Sequence, residues 1–255
     1  MTTTTLEFPL LLRLIDERSA ALRAAVGSAP SLDAQVPSCP EWTLFDLAHH
    51  LGEVHRFWAV VLGAGPSAVR PEVERPVAPR EREALLAWSA ESTELLLGAL
   101  REAGPERGCW TWWAGSESPR NAGAVARRQV QEAMVHAYDA QLVAGEPEPL
   151  PVVAALDGVA EFLATSSAGA AGWPHGEAVI DYHAGEGGSW RLELSAEAVR
   201  TAAVGEVRPG VVFASASGPA ADLVLALRGR IPLDWLKLDG DLRLFDLLEE
   251  WEPEV

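Results

Sequence analysis

The chain has 255 residues, 48% of them hydrophobic and 22% charged, which is enough to bury one large core or two modest ones and excludes wholesale disorder. Its formal net charge of −17 repels nucleic-acid phosphates and anionic lipid headgroups, so neither nucleic acid nor a membrane surface is an expected partner. Two cysteines, Cys39 and Cys109, form no disulfide framework and no C-x-x-C motif, which points to a reducing cytoplasm.

The N-terminus carries no basic n-region, and the apolar run from Phe8 to Leu12 is cut short by Arg13, Asp16, Glu17 and Arg18. No signal peptide is expected. No stretch approaches the roughly 20 apolar residues of a membrane span. Residues 7–26 read as an amphipathic helix, with Leu11, Leu14, Ala21 and Leu22 near helical spacing. The segment SAPSLDAQVPSCPEW, with its three prolines, breaks it. A second helix is predicted from Thr43 to about Leu62. Thr43 and Asp46 form a T-x-x-D capping pattern at its start, and GAGP stops it.

A Pro- and Arg-containing connection covers 64–81. A third helix follows over about 82–103, its apolar side supplied by Leu85, Leu86, Trp88, Leu95, Leu96, Leu97 and Leu100. Residues 104–119 form a long loop whose Trp110, Trp112 and Trp113 either wall a pocket or pack the loop itself. A fourth helix runs over about 121–144 to Gly145, and a fifth over 150–167, beginning near Pro151. The character then changes. EAVIDYHA, SWRLELSA and VVFASASG read as strands and PAADLVLALRG as a helix; LDWLKLDGDLRLFDLLEEW closes the chain with a short strand, a turn and an amphipathic helix. The expected organisation is a helical bundle over 1–170 and a small α+β domain over 171–255, divided in the Gly/Ala/Ser-rich stretch SSAGAAGWPHG.

The chemistry concentrates on the second and fourth helices. Glu132 and His136, four residues apart, share one helix face, about 6 Å apart along the axis. A carboxylate oxygen and an imidazole nitrogen so placed can reach one divalent cation, and zinc suits that donor set. Asp139, three residues beyond His136, can take the ring N–H that a metal leaves free. His49, His50 and His55 place half of the six histidines on the second helix. His50 and His55 lie about 140° apart around it, so they do not serve one metal, and periodicity alone does not choose between them.

At this point the sequence resembles a family. VPSCPEWTLFDLAHHLGEVHRF is similar to the signature V-P-x-C-P-x-W-T-x-x-D-L-x-x-H-L-x-x-V-H-R of the mycothiol-dependent maleylpyruvate isomerase family of actinobacteria. RRQVQEAMVHAYDAQ resembles its E-x-x-x-H signature followed by x-x-D, and GPAADLVLALRGRIP resembles a segment of its second domain. The resemblance spans essentially the whole chain. It implies an α+β fold: a DinB-like four-helix bundle, then a smaller sterol-carrier-protein-like domain. It selects His50 over His55, so His50, Glu132 and His136 become the implied metal ligands. It also implies an arginine on the substrate; Arg230 is the candidate by position, with Arg228 an equally basic neighbour. Cys39 matches the family cysteine and reads as a small packed side chain, and His49 and His55 read as core-edge or solvated groups.

The implied function is a metal-dependent enzyme, an isomerase or thiol S-transferase. It uses mycothiol as thiol cosubstrate on a small electrophile that bears a carboxylate. The alternatives are a metal-dependent hydrolase or lyase with activated water, and a zinc-bearing binding or regulatory protein without activity.

Overall fold

The structure, a computed structural model, describes residues 6–66, 69–74 and 76–251. The chain forms two compact units. One comprises Leu6–Trp112 and Pro119–Leu150; the other comprises Trp113–Ser118 and the chain from Pro151 onward.

The first unit is a four-helix bundle of α1 (Phe8–Ser28), α2 (Leu44–Ala64), α3 (Arg82–Ala103) and α4 (Ala122–Ala144). The main contacts are α1 with α4 and α2 with α3; α1 with α3 and α2 with α4 close the bundle. Leu22, Val26, Leu44, Leu47, Leu51 and Leu85 share its core with Ala133, Ala137 and Ala140, each large side chain contributing about 1.5–3 kcal/mol by leaving water.

The helix ends follow local chemistry. Thr43 Oγ1 accepts from the Asp46 amide at 3.2 Å, and the Asp46 carboxylate accepts from the Thr43 amide at 2.9 Å. The expected capping box is therefore closed in both directions. Asn121 caps α4 through the Ala124 amide, and Gly65, at φ 74°, ends α2 in a conformation open to glycine. At Gly52 of α2 a side chain has no room, because a Cβ there would stand 2.0 Å from the Trp88 ring of α3.

The proline-rich segment before α2 is more than a break. It folds into a small antiparallel hairpin, β1 (Gln35–Val36) and β2 (Cys39–Thr43), turning at Pro37–Ser38.

The second unit begins with α5 (Val152–Phe162), which runs on into a π-helical turn at Leu163–Ser167. Its sheet contains β3 (Ala178–Ala184), β4 (Gly188–Leu194), β5 (Val199–Ala202), β6 (Val212–Gly218) and β7 (Lys237–Gly240), in the order β5-β4-β3-β6-β7. All neighbours are antiparallel except β3 and β6. That parallel pair needs a crossover, and β4 and β5 are made within it. Helix α6 (Ala220–Leu227) packs on α5, and α7 (Arg243–Glu250) follows β7. Because α5 packs there, the contacts divide the chain at Pro151, ahead of the composition change near 170. A buried ion pair ties β3 to β4: Arg191 donates to both Asp181 oxygens at 2.7 and 2.8 Å from the directly opposite register position.

Candidate metal centre

The capping box fixes where α2 starts, and hence which side chains it turns toward α4. His50 is one of them. Its Nε2 lies 3.9 Å from Glu132 Oε2, and His136 Nε2 lies 3.3 Å from the same oxygen. One donor atom from each of His50, Glu132 and His136 falls within 4.8 Å of the others. Donors around a tetrahedral zinc are spaced about 3.4 Å from one another at bonds of about 2.1 Å. The separations of 3.3 and 3.9 Å from Glu132 Oε2 are close to that spacing. Two imidazoles and one carboxylate are a donor set that fits a first-row divalent cation.

Each group is oriented from behind. Arg128, one turn before Glu132 on α4, donates to Glu132 Oε1 at 2.6 Å, leaving Oε2 for the two histidines. His136 Nδ1 lies 3.0 Å from Asp139 Oδ2. Asp139 is wholly buried, and its Oδ1 accepts from Ser38 Oγ at 2.5 Å. A carboxylate at Nδ1 takes that N–H, so Nε2 donates to Glu132 when the ring is charged and offers its lone pair to a cation when the ring is neutral. The hairpin that delivers Ser38 also places Cys39 Sγ 4.0 Å from Asp139 Oδ2. It sets the Trp42 ring 4.7 Å from His50 and 6.1 Å from His136, centroid to centroid.

Electrostatics follows the geometry. Burial opposes ionisation of Glu132, but hydrogen bonds from His136 and His50 and the charge of Arg128 hold its carboxyl well below the ordinary range. Burial likewise opposes charge on His136, yet the hydrogen bonds and negative charge of Asp139 and Glu132 raise its pKa.

His55 goes elsewhere. It is buried, its Nδ1 lies 3.4 Å from Thr93 Oγ1, and burial pushes its pKa down to about 3. His49 packs between Phe45 and Trp88, with Nε2 3.7 Å from Glu53. Burial pushes the Cys109 thiol up to about 11, so it stays protonated and inert.

A cavity of about 800 Å³ opens beside the cluster, lined by His50 and Glu132 together with Val54, Phe57, Trp58 and Gln129 among others. Trp112 also lines it, whereas Trp110 packs on Phe57 and Trp58. In the second unit, Arg228 donates to the buried Glu161 at 2.6 Å and lies over the Phe162 ring. Arg230 is half-buried and donates to the Arg228 carbonyl at 2.8 Å.

Sequence reasoning missed Ser38, Trp42, Arg128 and Gln129. Arg128 was open to discovery as the residue one turn before Glu132. Ser38 and Trp42 depend on a hairpin whose strands are too short to carry a pattern.

Residues 12–141 match the mycothiol maleylpyruvate isomerase N-terminal domain, and residues 154–247 match the C-terminal domain of the same family. The chain belongs to the mycothiol maleylpyruvate isomerase family. No curated protein matches it significantly in sequence. Among solved structures, the mycothiol-dependent maleylpyruvate isomerase superposes with a TM-score of 0.57 at 16% identity, covering 94% of this chain and 95% of that one. A histidine-to-alanine mutant of that isomerase gives a TM-score of 0.56 at the same identity and coverage. At this identity the likeness establishes the α+β fold of a family member. Among the described residues no helix is long and apolar enough to cross a membrane.

Proposed function

We propose that this chain is a mycothiol-dependent enzyme, an isomerase or thiol transferase, in which His50, Glu132 and His136 hold one divalent metal, zinc fitting best. The observation that carries the reading is the convergence of donors from two helices at the edge of a cavity. Three protein donors leave room for an exogenous ligand, the hallmark of catalytic rather than structural sites.

A divalent metal in such a site lowers the pKa of a thiol that it binds, so the thiolate persists at neutral pH. The protein's own groups do the rest. Asp139 keeps His136 in the tautomer that presents Nε2, and Ser38 keeps Asp139 in place. Arg128 holds Glu132 so that one oxygen faces the histidines. Trp42 covers both imidazoles on one side and limits water there. The cavity receives the thiol and a small electrophile bearing a carboxylate. The family resemblance makes Arg230 the candidate arginine for that carboxylate. A reduced thiol cosubstrate and two free cysteines agree with a cytoplasmic location.

The test is metal analysis of the purified protein, then calorimetry of mycothiol binding in two buffers of different ionisation enthalpy. The expected result is one metal per chain and metal-dependent thiol binding with proton release near neutral pH. Metal without thiol binding, accompanied by ester or amide hydrolysis, would replace this reading with the hydrolase.

A further inference from the structure

Gln129 is wholly buried, and neither its Nε2 nor its Oε1 has a hydrogen-bond partner among the described residues. Native interiors rarely leave a carboxamide in that state, because desolvating both ends without compensation is costly. Its position makes the exception informative. Gln129 lies in the wall of the cavity that His50 and Glu132 also line. It stands on α4 three residues before Glu132, on the same face and about 4.5 Å along the axis. The neighbouring wall groups Val54, Phe57 and Trp58 are apolar. Of the arginines in the wall, Arg128 and Arg56 are engaged by Glu132 and Glu91, and Arg70 lies over the Phe57 and Trp110 rings. The cavity thus holds, one helical turn from the metal-binding donors, a neutral donor and acceptor.

We infer that Gln129 recognises an amide next to the sulfur of a cysteine-derived thiol cosubstrate. The inference rests on the thiol reading above. In such a thiol the amides hang from the second carbon from the sulfur. When the sulfur is at the His50–Glu132–His136 cluster, they lie within a span comparable to one helical turn. An amide carbonyl takes the Gln129 N–H, and an amide N–H satisfies its Oε1. A carboxylate has no hydrogen to give and would satisfy only the donor half, so the group read here belongs to the thiol and not to an acidic electrophile. Gln129 is then a specificity-determining residue: it separates amide-bearing thiols from simple alkane thiols, because a site built to hydrogen-bond a group discriminates against a ligand that lacks it.

The experiment uses zinc-loaded full-length protein, wild type and Gln129→Met, and titrates N-acetylcysteinamide and propanethiol by calorimetry. Wild type should bind the amide thiol about 10-fold or more tightly than the alkane thiol, and Gln129→Met should erase most of that ratio while leaving propanethiol affinity unchanged. Metal-free Gln129→Met should melt at the same temperature as wild type or higher, because it loses an unpartnered polar group and keeps its volume. An unchanged ratio overturns the inference and leaves the thiol function standing. A lower melting temperature with both thiols weakened equally, or a Gln129→Met protein that does not fold, assigns Gln129 to structure and also overturns it. Failure of zinc-loaded wild type to bind either thiol removes the thiol function and this inference together.

Discussion

Ser38 and Asp139 lie 101 residues apart in the chain, yet their side chains meet at 2.5 Å. The contact holds one oxygen of a buried carboxylate while the other oxygen takes His136. The orientation of His136 therefore depends on a turn in the β1–β2 hairpin as well as on its own helix. Asp139→Asn should weaken zinc affinity about 10–100-fold, and Ser38→Ala should weaken it less, because Asp139 retains its histidine. Competition with a chromophoric chelator measures both. Equal affinity in wild type and Asp139→Asn would return Asp139 to a packing role.

His50→Ala should lose most of its metal and keep its helices, since alanine is the best helix former and two donors alone bind weakly. Circular dichroism and metal analysis on one preparation separate the outcomes. A variant that retains full metal would remove His50 from the ligand set.

The metal-free protein should lose stability on both sides of about pH 6.5. Glu132 has a folded pKa well below its ordinary 4.5. Its contribution is complete above that ordinary value and is lost as pH falls through the depressed one. His136 has a folded pKa above its ordinary 6.5. Its contribution is complete below 6.5 and is lost as pH rises through the raised value. Both are present between the two ordinary values, but His55, kept neutral by burial with a folded pKa of about 3, costs stability as pH falls below its ordinary 6.5, which sets the optimum at the upper end of that window. Metal needs neutral imidazole, so zinc stabilisation should instead grow with pH. Melting curves with and without zinc should diverge above neutrality; parallel curves would contradict the assignment.

Gly52→Ala should destabilise the bundle by about 1–3 kcal/mol, the usual cost of overpacking, because the new Cβ would stand 2.0 Å from the Trp88 ring. Combining it with Trp88→Leu should recover part of the loss. Urea denaturation of the two single variants and the double variant gives the coupling directly.

Arg228 and Arg230 should part company under mutation. Arg228→Ala removes the cation that lies 2.6 Å from the buried Glu161 and should destabilise by up to about 3–5 kcal/mol. Arg230→Ala should reduce turnover without changing metal content. Denaturation and steady-state kinetics test the pair. A fully active Arg230→Ala would free that residue from substrate.

The helices were legible because their signals are local. Leu85 to Leu100 repeat at helical spacing, and Thr43 with Asp46 announces the start of α2. Glu132 and His136 were legible for the same reason. Periodicity did not choose between His50 and His55, since both sit on one apolar helix; the family resemblance chose His50, and what separates them physically is tertiary, His55 facing Thr93 and His50 facing α4. The β1–β2 hairpin read as a break because Pro30, Pro37 and Pro40 mask strands of two and five residues. With it Ser38 and Trp42 were hidden. β5, only four residues long, left no alternation to find, and the π-helical turn at Leu163–Ser167 differs from α-helix in hydrogen bonding that composition does not encode.

The hairpin's place in the chain also sets an order of events during synthesis. Ser38, Trp42 and His50 emerge from the ribosome long before Glu132, His136 and Asp139, so no early fragment contains a complete set of donors. A nascent chain that has made α2 exposes His49, His50 and His55 but neither Glu132 nor His136. In the metal-dependent reading proposed above, loading would wait until α4 has docked against a hairpin made 101 residues earlier.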